Sequence, residues 1–310
     1  MSIIEVSELQ KRYGEKVAVS DVSFEVAEGE IFGILGPNGA GKTTTVECIA
    51  GLRERDGGRI SVLGLDPGRD QGELREVLGM QLRESAMPDK LRVREALELY
   101  ASFYRDPADW RELVSTLGLE STLEQRYAKL SGGQKQRLSI ALALIGGPRV
   151  AVLDELTTGL DPGARRDTWA LIERVRDSGV TVLLVTHFME EAERLCDRIA
   201  LIDAGRTVAV DTPPGLSTRA DSRQELRFRP SAPIAHELLL ALPEVESVHA
   251  HGDQLTVTGG GELPSAVIAT LARAGVVAEG LRIQQSSLED AFVALTDHAG
   301  SSERLAPTGR

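Results

Sequence analysis

Three short stretches hold residues whose types and spacing suit phosphate chemistry: GPNGAGKT at 36–43, RVAVLDE at 149–155 and LSGGQ at 130–134. In the first, Gly36, Gly39 and Gly41 let the backbone curl until several N–H groups converge on one anion, at the start of a helix whose dipole favours negative charge. Lys42 adds a point charge for the β- and γ-phosphates of a nucleotide, and Thr43 offers a hydroxyl to Mg²⁺. In the second, 150–153 reads as a buried strand, and the end of such a strand is where a parallel sheet presents side chains to a ligand. Asp154 there can hold Mg²⁺ through water, and Glu155 can polarise an attacking water. Two acidic residues after an apolar strand are by themselves usually a solvated turn; the phosphate loop upstream favours the chemical reading. In the third, Ser131 is a natural N-cap, Gly132 and Gly133 leave the backbone bare, and the helix QKQRLSIALALI begins just beyond. That is a second anion-seeking helix terminus. A plain capped helix is the simpler alternative, but it does not require this string followed by basic residues.

Strands and helices must hold these stretches in place. The opening reads as strands, IIEVSEL and KVAVSDVSFEV, then a turn at AEGE, then IFGIL, which delivers the glycine-rich loop. TTTVECIAGL behind the loop reads as a helix ended by Gly51. From about 88 to 147 the pattern is helical, with Val93, Leu97 and Tyr100 at three- and four-residue spacing, which makes an all-helical insert between nucleotide motifs. RVAVLDE, the helical DTWALIERVRDSG and VTVLLVTH follow the βαβ rhythm of a parallel sheet, and a further run, IALIDAGRTVAV, carries a turn at Ala204 and Gly205. Composition shifts at DTPPGLSTRADS, 211–222, as at a domain boundary. The remainder runs β, α, β, β, α, β, a split-βαβ, ferredoxin-like order. It closes on the amphipathic helix SLEDAFVALT, with Ser287 and Asp290 at capping-box spacing. The polar, proline-containing tail at 298–310 is expected to be disordered.

At 310 residues the chain is longer than a usual single domain, so a large domain over 1–215 and a smaller one over 222–297 are expected. The net charge of −12 argues against nucleic acid as a partner, since phosphate binding on that scale needs a basic face. Cys48 and Cys196 lie far apart and give neither a disulfide framework nor a metal-ligand spacing, which suits a reducing cytoplasm. The N-terminus has no basic segment followed by an apolar core, so no secretory signal is expected. The most apolar runs, LSIALALI and VTVLLV, are far shorter than the roughly 20 residues that cross a bilayer. Work at a membrane would require another chain for the membrane part.

Taken together, the motifs resemble those of the ATP-binding subunit of an ABC transporter over residues 1 to about 210. GPNGAGKTT is similar to Walker A, RVAVLDE to Walker B, LSGGQ to the family signature, TTGLDP at 157–162 to the D-loop and VTH at 185–187 to the switch-histidine segment. The fold implied is α/β: a P-loop ATPase core with a β-rich N-terminal subdomain and a helical insert, followed by the small α+β ferredoxin-like domain. The resemblance further implies a head-to-tail homodimer, with ATP and Mg²⁺ clamped between Walker A of one copy and LSGGQ of the other. Asn38, Gly39, Gly41, Lys42, Thr43 and Thr44 would then hold a copy's own nucleotide, while Ser131, Gly133 and Gln134 would complete the partner's site. It assigns Tyr13 to stacking on adenine, worth about 1–3 kcal/mol. His187 would contact the γ-phosphate and orient the attacking water, and Asp161 would cross the dimer interface. Each has a simpler use as well: Tyr13 and His187 as structural residues, and Asp161 as an N-cap ahead of Pro162. Beyond 220, the unit ending in SLEDAFVALT resembles the C-terminal extension of the daunorubicin-resistance subfamily of exporter ATPases, for which a dimer-stabilising pad is a simpler reading than a ligand sensor.

Two positions depart from the family pattern. The Q-loop glutamine, which in the family helps ligate Mg²⁺ and senses the membrane partner, falls by spacing at Arg83. Gln81, two residues earlier and on the same face of an extended segment, either substitutes as the metal ligand or leaves an arginine near the phosphates. Leu156 replaces the proline that usually follows the glutamate, which is expected to relax the local backbone. The function implied is a cytoplasmic, peripheral ATPase subunit on the inner face of the cell membrane. It would drive a separate permease for export of a drug or other amphipathic compound. The alternative is a slow, nucleotide-gated clamp, motivated by Arg83 and Leu156. A soluble ABC protein of translation or DNA repair would need tandem cassettes or a long coiled-coil insertion, and neither is visible. A P-loop kinase has no use for LSGGQ.

Overall fold

Runs of β-branched and apolar residues buried on both faces belong inside a parallel sheet, and such runs form the centre of this fold. A computed structural model describes residues 1–81, 87–220, 224–285 and 288–302. Position 83 and the expected cap at Ser287 lie outside the described residues, as does the tail at 303–310. The strands are β1 (Ser2–Tyr13), β2 (Lys16–Ala27), β3 (Ile31–Leu35), β4 (Gly57–Val62), β5 (Leu78–Gln81), β6 (Val150–Asp154), β7 (Thr181–Thr186), β8 (Arg198–Asp203) and β9 (Arg206–Asp211). They make one sheet in the order β4-β1-β2-β9-β8-β3-β7-β6-β5. Every residue of β3, β6 and β7 is buried. These three pair in parallel, flanked by β8 on one side and β5 on the other. Their carboxyl ends therefore open on the same edge of the sheet.

The antiparallel part, β4, β1 and β2, joins the parallel part through a single register pair, Asp21 with Arg206. One continuous core runs beneath both, from Ile4, Val6 and Leu9 on β1 through Phe24 and Phe32, whose rings stack at 5.2 Å, to Val152 and Val185. Burial of residues this size stabilises by roughly 1.5–3 kcal/mol each. Between β5 and β6 the described residues form the helices Val93–Ala101, Trp110–Leu117 and Gly132–Leu144 with two short 3₁₀ turns and no strand. Val93, Ala96 and Leu97 bury the inner face of the first of them.

The chain divides into two units, Met1–Pro213 and Pro214–Arg310. Within the proline-rich stretch, the residues Pro213–Ala220 form a helix. Prolines in a first turn cost nothing, since those N–H groups have no intrahelical partner. In the second unit β10 (Gln224–Pro230), β11 (Val245–His251), β12 (Gln254–Gly259) and β13 (Ala278–Gln285) form an antiparallel sheet in the order β11-β12-β10-β13. Helices follow β10 and β12, so two split βαβ units interleave around a core of Leu226, Phe228, Val257, Val267 and Leu271. The first of those helices spans only His236–Leu240, shorter than the run IAHELLLAL, with Pro233 and Pro243 on either side. The final helix, Leu288–Ser302, is longer than its apolar pattern and continues past His298 into the expected tail.

Candidate nucleotide site

Four of the chemical segments end at the carboxyl edge of the parallel sheet. β3 runs into the glycine-rich loop, β6 ends at Asp154 ahead of Glu155, β7 ends ahead of His187, and β5 ends at Gln81. The loop turns back through two positions where only glycine fits. A Cβ at Gly36 would collide with the carbonyl of Ile202, and one at Gly41, where φ is 101°, would lie 2.5 Å from the carbonyl of Ala18. Gly41 is the N-cap of the helix Lys42–Ile49, so the helix begins directly beneath the loop. Lys42 is buried and donates from Nζ to the carbonyls of Gly36 at 2.7 Å and Pro37 at 2.9 Å, so that the loop wraps its ammonium.

An open cleft over this loop is lined by Tyr13, Asn38, Gly39, Gly41, Lys42, Thr43, Thr44 and Glu155. Tyr13 stands at the end of β1 with 41% of its surface exposed, its ring flanked by Lys11 Nζ at 5.7 Å and the Arg53 guanidinium at 5.9 Å. Each cation is tied by its own carboxylate, Lys11 to Asp56 and Arg53 to Glu47. Thr43 Oγ1 donates to Asp154 Oδ2 at 3.3 Å, joining the loop to the end of β6. Gln81, buried, accepts through Oε1 from the N–H of Asp154 at 3.2 Å. The Thr43 hydroxyl and the Asp154 carboxylate meet here, with the Gln81 amide oxygen on the Asp154 N–H, and all-oxygen donor sets suit Mg²⁺, which takes one or two protein ligands and completes its shell with water and phosphate. No cluster of three or more His, Cys, Asp or Glu that could hold a metal occurs among the described residues. Thr43 and Asp154 would hold the ion, with Gln81 beside them.

Glu155 is 8% exposed, and its Oε1 lies 3.1 Å from His187 Nδ1. The carboxylate facing Nδ1 orients the imidazole ring through that nitrogen. The backbone at Glu155 is left-handed, with φ 49°, although Leu156 stands where a proline would restrict it. The Glu155 N–H bonds the carbonyl of Val185 at 2.9 Å and its carboxylate bonds His187, and these contacts hold a conformation that costs about 1–3 kcal/mol elsewhere. Leu156 itself is buried at 1% exposure.

The residues assigned to a second anion site form a separate group outside the lining of this cleft. Ser131 caps the helix Gly132–Leu144 through a capping box: Gln134 N–H donates to Ser131 Oγ at 3.3 Å, and Ser131 N–H to Gln134 Oε1 at 2.9 Å. Gln134 thus spends its carbonyl oxygen on the cap. Asp161 caps the neighbouring helix Pro162–Asp177, accepting from the N–H groups of Gly163 at 2.9 Å and Ala164 at 3.0 Å. Those bonds from Ala164 and Gly163 hold the Asp161 carboxyl below the usual carboxylate range. The two helix starts adjoin, because a Cβ on Gly133 would lie 3.8 Å from that of Ala164. The contacts of Trp169, Glu191 and Arg165 behind Asp161 and His187 were not legible in the motifs. Their only sequence signal is the four-residue spacing of 165 and 169 on one helix face.

A P-loop nucleotide-binding fold, with its glycine-rich loop at one helix start and a second, separately capped helix start at Ser131, is the class that this fold and site define. The ABC transporter family model matches residues 19–158. The chain is 37% identical over 303 residues to the Nod factor export ATP-binding protein I of Rhizobium etli, covering 96% of this chain and 94% of that one. It is 36% identical to the daunorubicin resistance ATP-binding protein DrrA2 of Streptomyces coeruleorubidus, over 94% of each. A solved ATP-binding subunit of an ABC transporter superposes with a TM-score of 0.63 at 30% identity, covering 70% of this chain and 92% of that chain. A dimeric bacterial ABC transporter cassette superposes at 0.61 with 27% identity, covering 67% and 98%. The protein belongs to the ABC transporter ATP-binding family.

Proposed function

We propose that the chain hydrolyses MgATP as a head-to-tail homodimer on the inner face of the cell membrane and drives a separate permease that exports a drug or other amphipathic compound. The observation that carries this reading is the convergence of Lys42, Thr43, Asp154, Glu155 and the Glu155–His187 pair on one edge of the sheet. Loop N–H groups and Lys42 bind the β- and γ-phosphates, and Tyr13 stacks on the base. Bound Mg²⁺ would neutralise charge on the transferring phosphoryl group. Glu155 polarises the attacking water, and His187, oriented by Glu155, contacts the γ-phosphate. Ser131 and Gly133 present a helix N-terminus to the nucleotide of the other copy.

The solved dimeric cassettes, one of them bound to ADP and Pi, support the dimer and the reaction. The relatives named for Nod factor export support the direction of transport, and the one named for daunorubicin resistance supports a drug as the compound. No helix among the described residues is long and apolar enough to cross a membrane. A groove lined by Leu52, Leu74, Phe103 and Tyr104 together with Arg75, Glu76 and Arg105, with Leu52 53% and Phe103 66% exposed, suits the docking of a permease. The test is Glu155→Gln: steady-state phosphate release should fall at least a hundredfold while ATP binding persists, and an ATP-bound dimer should accumulate on sizing columns. Unchanged turnover, or a strictly monomeric profile, would overturn the reading. Tight ATP binding with negligible phosphate release in the unaltered chain would replace it with the slow clamp.

A further inference from the structure

Behind the cleft, the helix Pro162–Asp177 and the short helix Met189–Leu195 are joined along one face. Arg165, Trp169 and Glu173 follow one another at four-residue spacing, so they stack on a single stripe of the longer helix. Each meets the segment 188–194. The Arg165 guanidinium lies 4.7 Å from the centroid of the Phe188 ring and 3.8 Å from Glu190. Trp169 donates from Nε1 to Glu191 Oε1 at 3.0 Å, with both residues buried. Glu173 pairs with Arg194 at 2.9 Å. The stripe thus uses three different bond types, and its central contact is out of water.

The two ends of this ladder are what give it consequence. The longer helix starts at Asp161, its own N-cap. The shorter one starts at Phe188, whose N–H donates to Thr186 Oγ1 at 3.0 Å and whose ring packs 4.1 Å from that of His187. Arg165 therefore presses on Phe188, Phe188 on His187, and His187 bonds Glu155. An isolated histidine at a strand end keeps several rotamers; one braced on its far side by a ring that is itself held by a guanidinium keeps few.

We propose that Arg165, acting through Phe188 and backed by the Trp169–Glu191 bond, is a positioning residue that sets His187 against Glu155, so that the segment at Asp161 and the histidine move as one piece. This rests on the reading of Glu155 and His187 as the hydrolytic pair. Among the described residues Arg165 is bonded to Phe188 and Glu190 rather than to the nucleotide loop or Glu155, so its loss should act on turnover and leave binding alone. A second copy engaging Asp161 would displace the same helix that braces His187, which ties the readiness of one site to the contact made beside it.

The experiment compares Arg165→Met, Phe188→Leu and the double variant in the full chain. In Arg165→Met, kcat should fall about tenfold with KM for ATP and the thermal midpoint little changed, because a partly exposed arginine is replaced by a side chain of similar length; Arg165→Lys should restore most of the rate. Phe188→Leu should lower kcat by a similar factor, and the double variant should be no slower than the slower single one, since both break one chain of contacts. Multiplying effects in the double variant, or a kcat for Arg165→Met within twofold of the unaltered chain, would overturn the proposal. So would a fall in kcat accompanied by an equal rise in KM. Should Arg165→Met fail to fold, Trp169→Phe, which keeps an aromatic ring but loses the pyrrole ring with its N–H donor, should give the same loss of kcat at constant KM, and a normal kcat there would overturn it. Glu155→Gln run alongside separates the failures. If it abolishes turnover while Arg165→Met does not, only the ladder is wrong; if it leaves turnover intact, the catalytic reading itself has failed.

Discussion

Glu155 shows how much of this site is written at single residues and how much is not. Its identity is legible because a carboxylate directly after a buried strand, downstream of a phosphate loop, has a chemical use that an isolated turn lacks. Its left-handed backbone and its bond to His187 were not legible, since both depend on β6 lying beside β7. Gly41 is the opposite case, because a glycine-rich string ahead of Lys-Thr announces a tight turn from sequence alone. With φ at 101° and a Cβ 2.5 Å from the Ala18 carbonyl, Gly41→Ala should cost about 2 kcal/mol, measured by chemical denaturation, and abolish ATP binding. Tyr13 makes the milder prediction. Replacing it by Ala should weaken ATP binding about tenfold in calorimetry, whereas Tyr13→Phe, which keeps the aromatic face, should bind normally.

At the scale of elements, the helices and strands that carry motifs were readable because apolar period and glycine punctuation agreed locally. β4 was not read from the sequence, because it opens on Gly57 and Gly58 and takes its place only by pairing with β1. The Trp169–Glu191 bond joins two helices across 22 residues of sequence, and nothing local names the partner. Such clasps also set how the protein responds to acid. Between β4 and the helix Gln71–Val77, Asp66 accepts two bonds from Arg55, at 2.9 and 2.8 Å, and one from the Gly68 N–H. The Arg55 guanidinium is the main cause that lowers its carboxyl from the ordinary 3.8 to about 2. A depressed carboxyl stabilises the fold above its unfolded value, and that contribution is lost as pH falls from 3.8 towards about 2. Arg55→Met should therefore lower the thermal midpoint at neutral pH and flatten its decline across that acid window. Parallel acid limbs in the two proteins would contradict the assignment.

For the whole molecule, the division into two units follows from a change of composition that the sequence displays openly, while the order of strands in the larger sheet does not. β8 and β9 bridge the parallel and antiparallel parts through one pair, Asp21 with Arg206, between residues far apart in the chain. The two helix starts proposed to bind phosphate are likewise separate within one copy: the cleft over Lys42 is lined by neither Ser131 nor Gly133. The central claim is that a second copy brings them together. Lys42→Ala and Gly133→Asp each inactivate one half of a site, and the second should fold, since a Cβ at 133 meets only ordinary contact at 3.8 Å and an acidic residue suits a helix start. Each variant alone should hydrolyse no ATP. Mixed in equal amounts they should regain turnover, because a mixed dimer holds one site with an intact Lys42 loop from one copy and an intact Gly133 from the other. A mixture as inactive as its components would show that each chain completes its own site and would contradict the account.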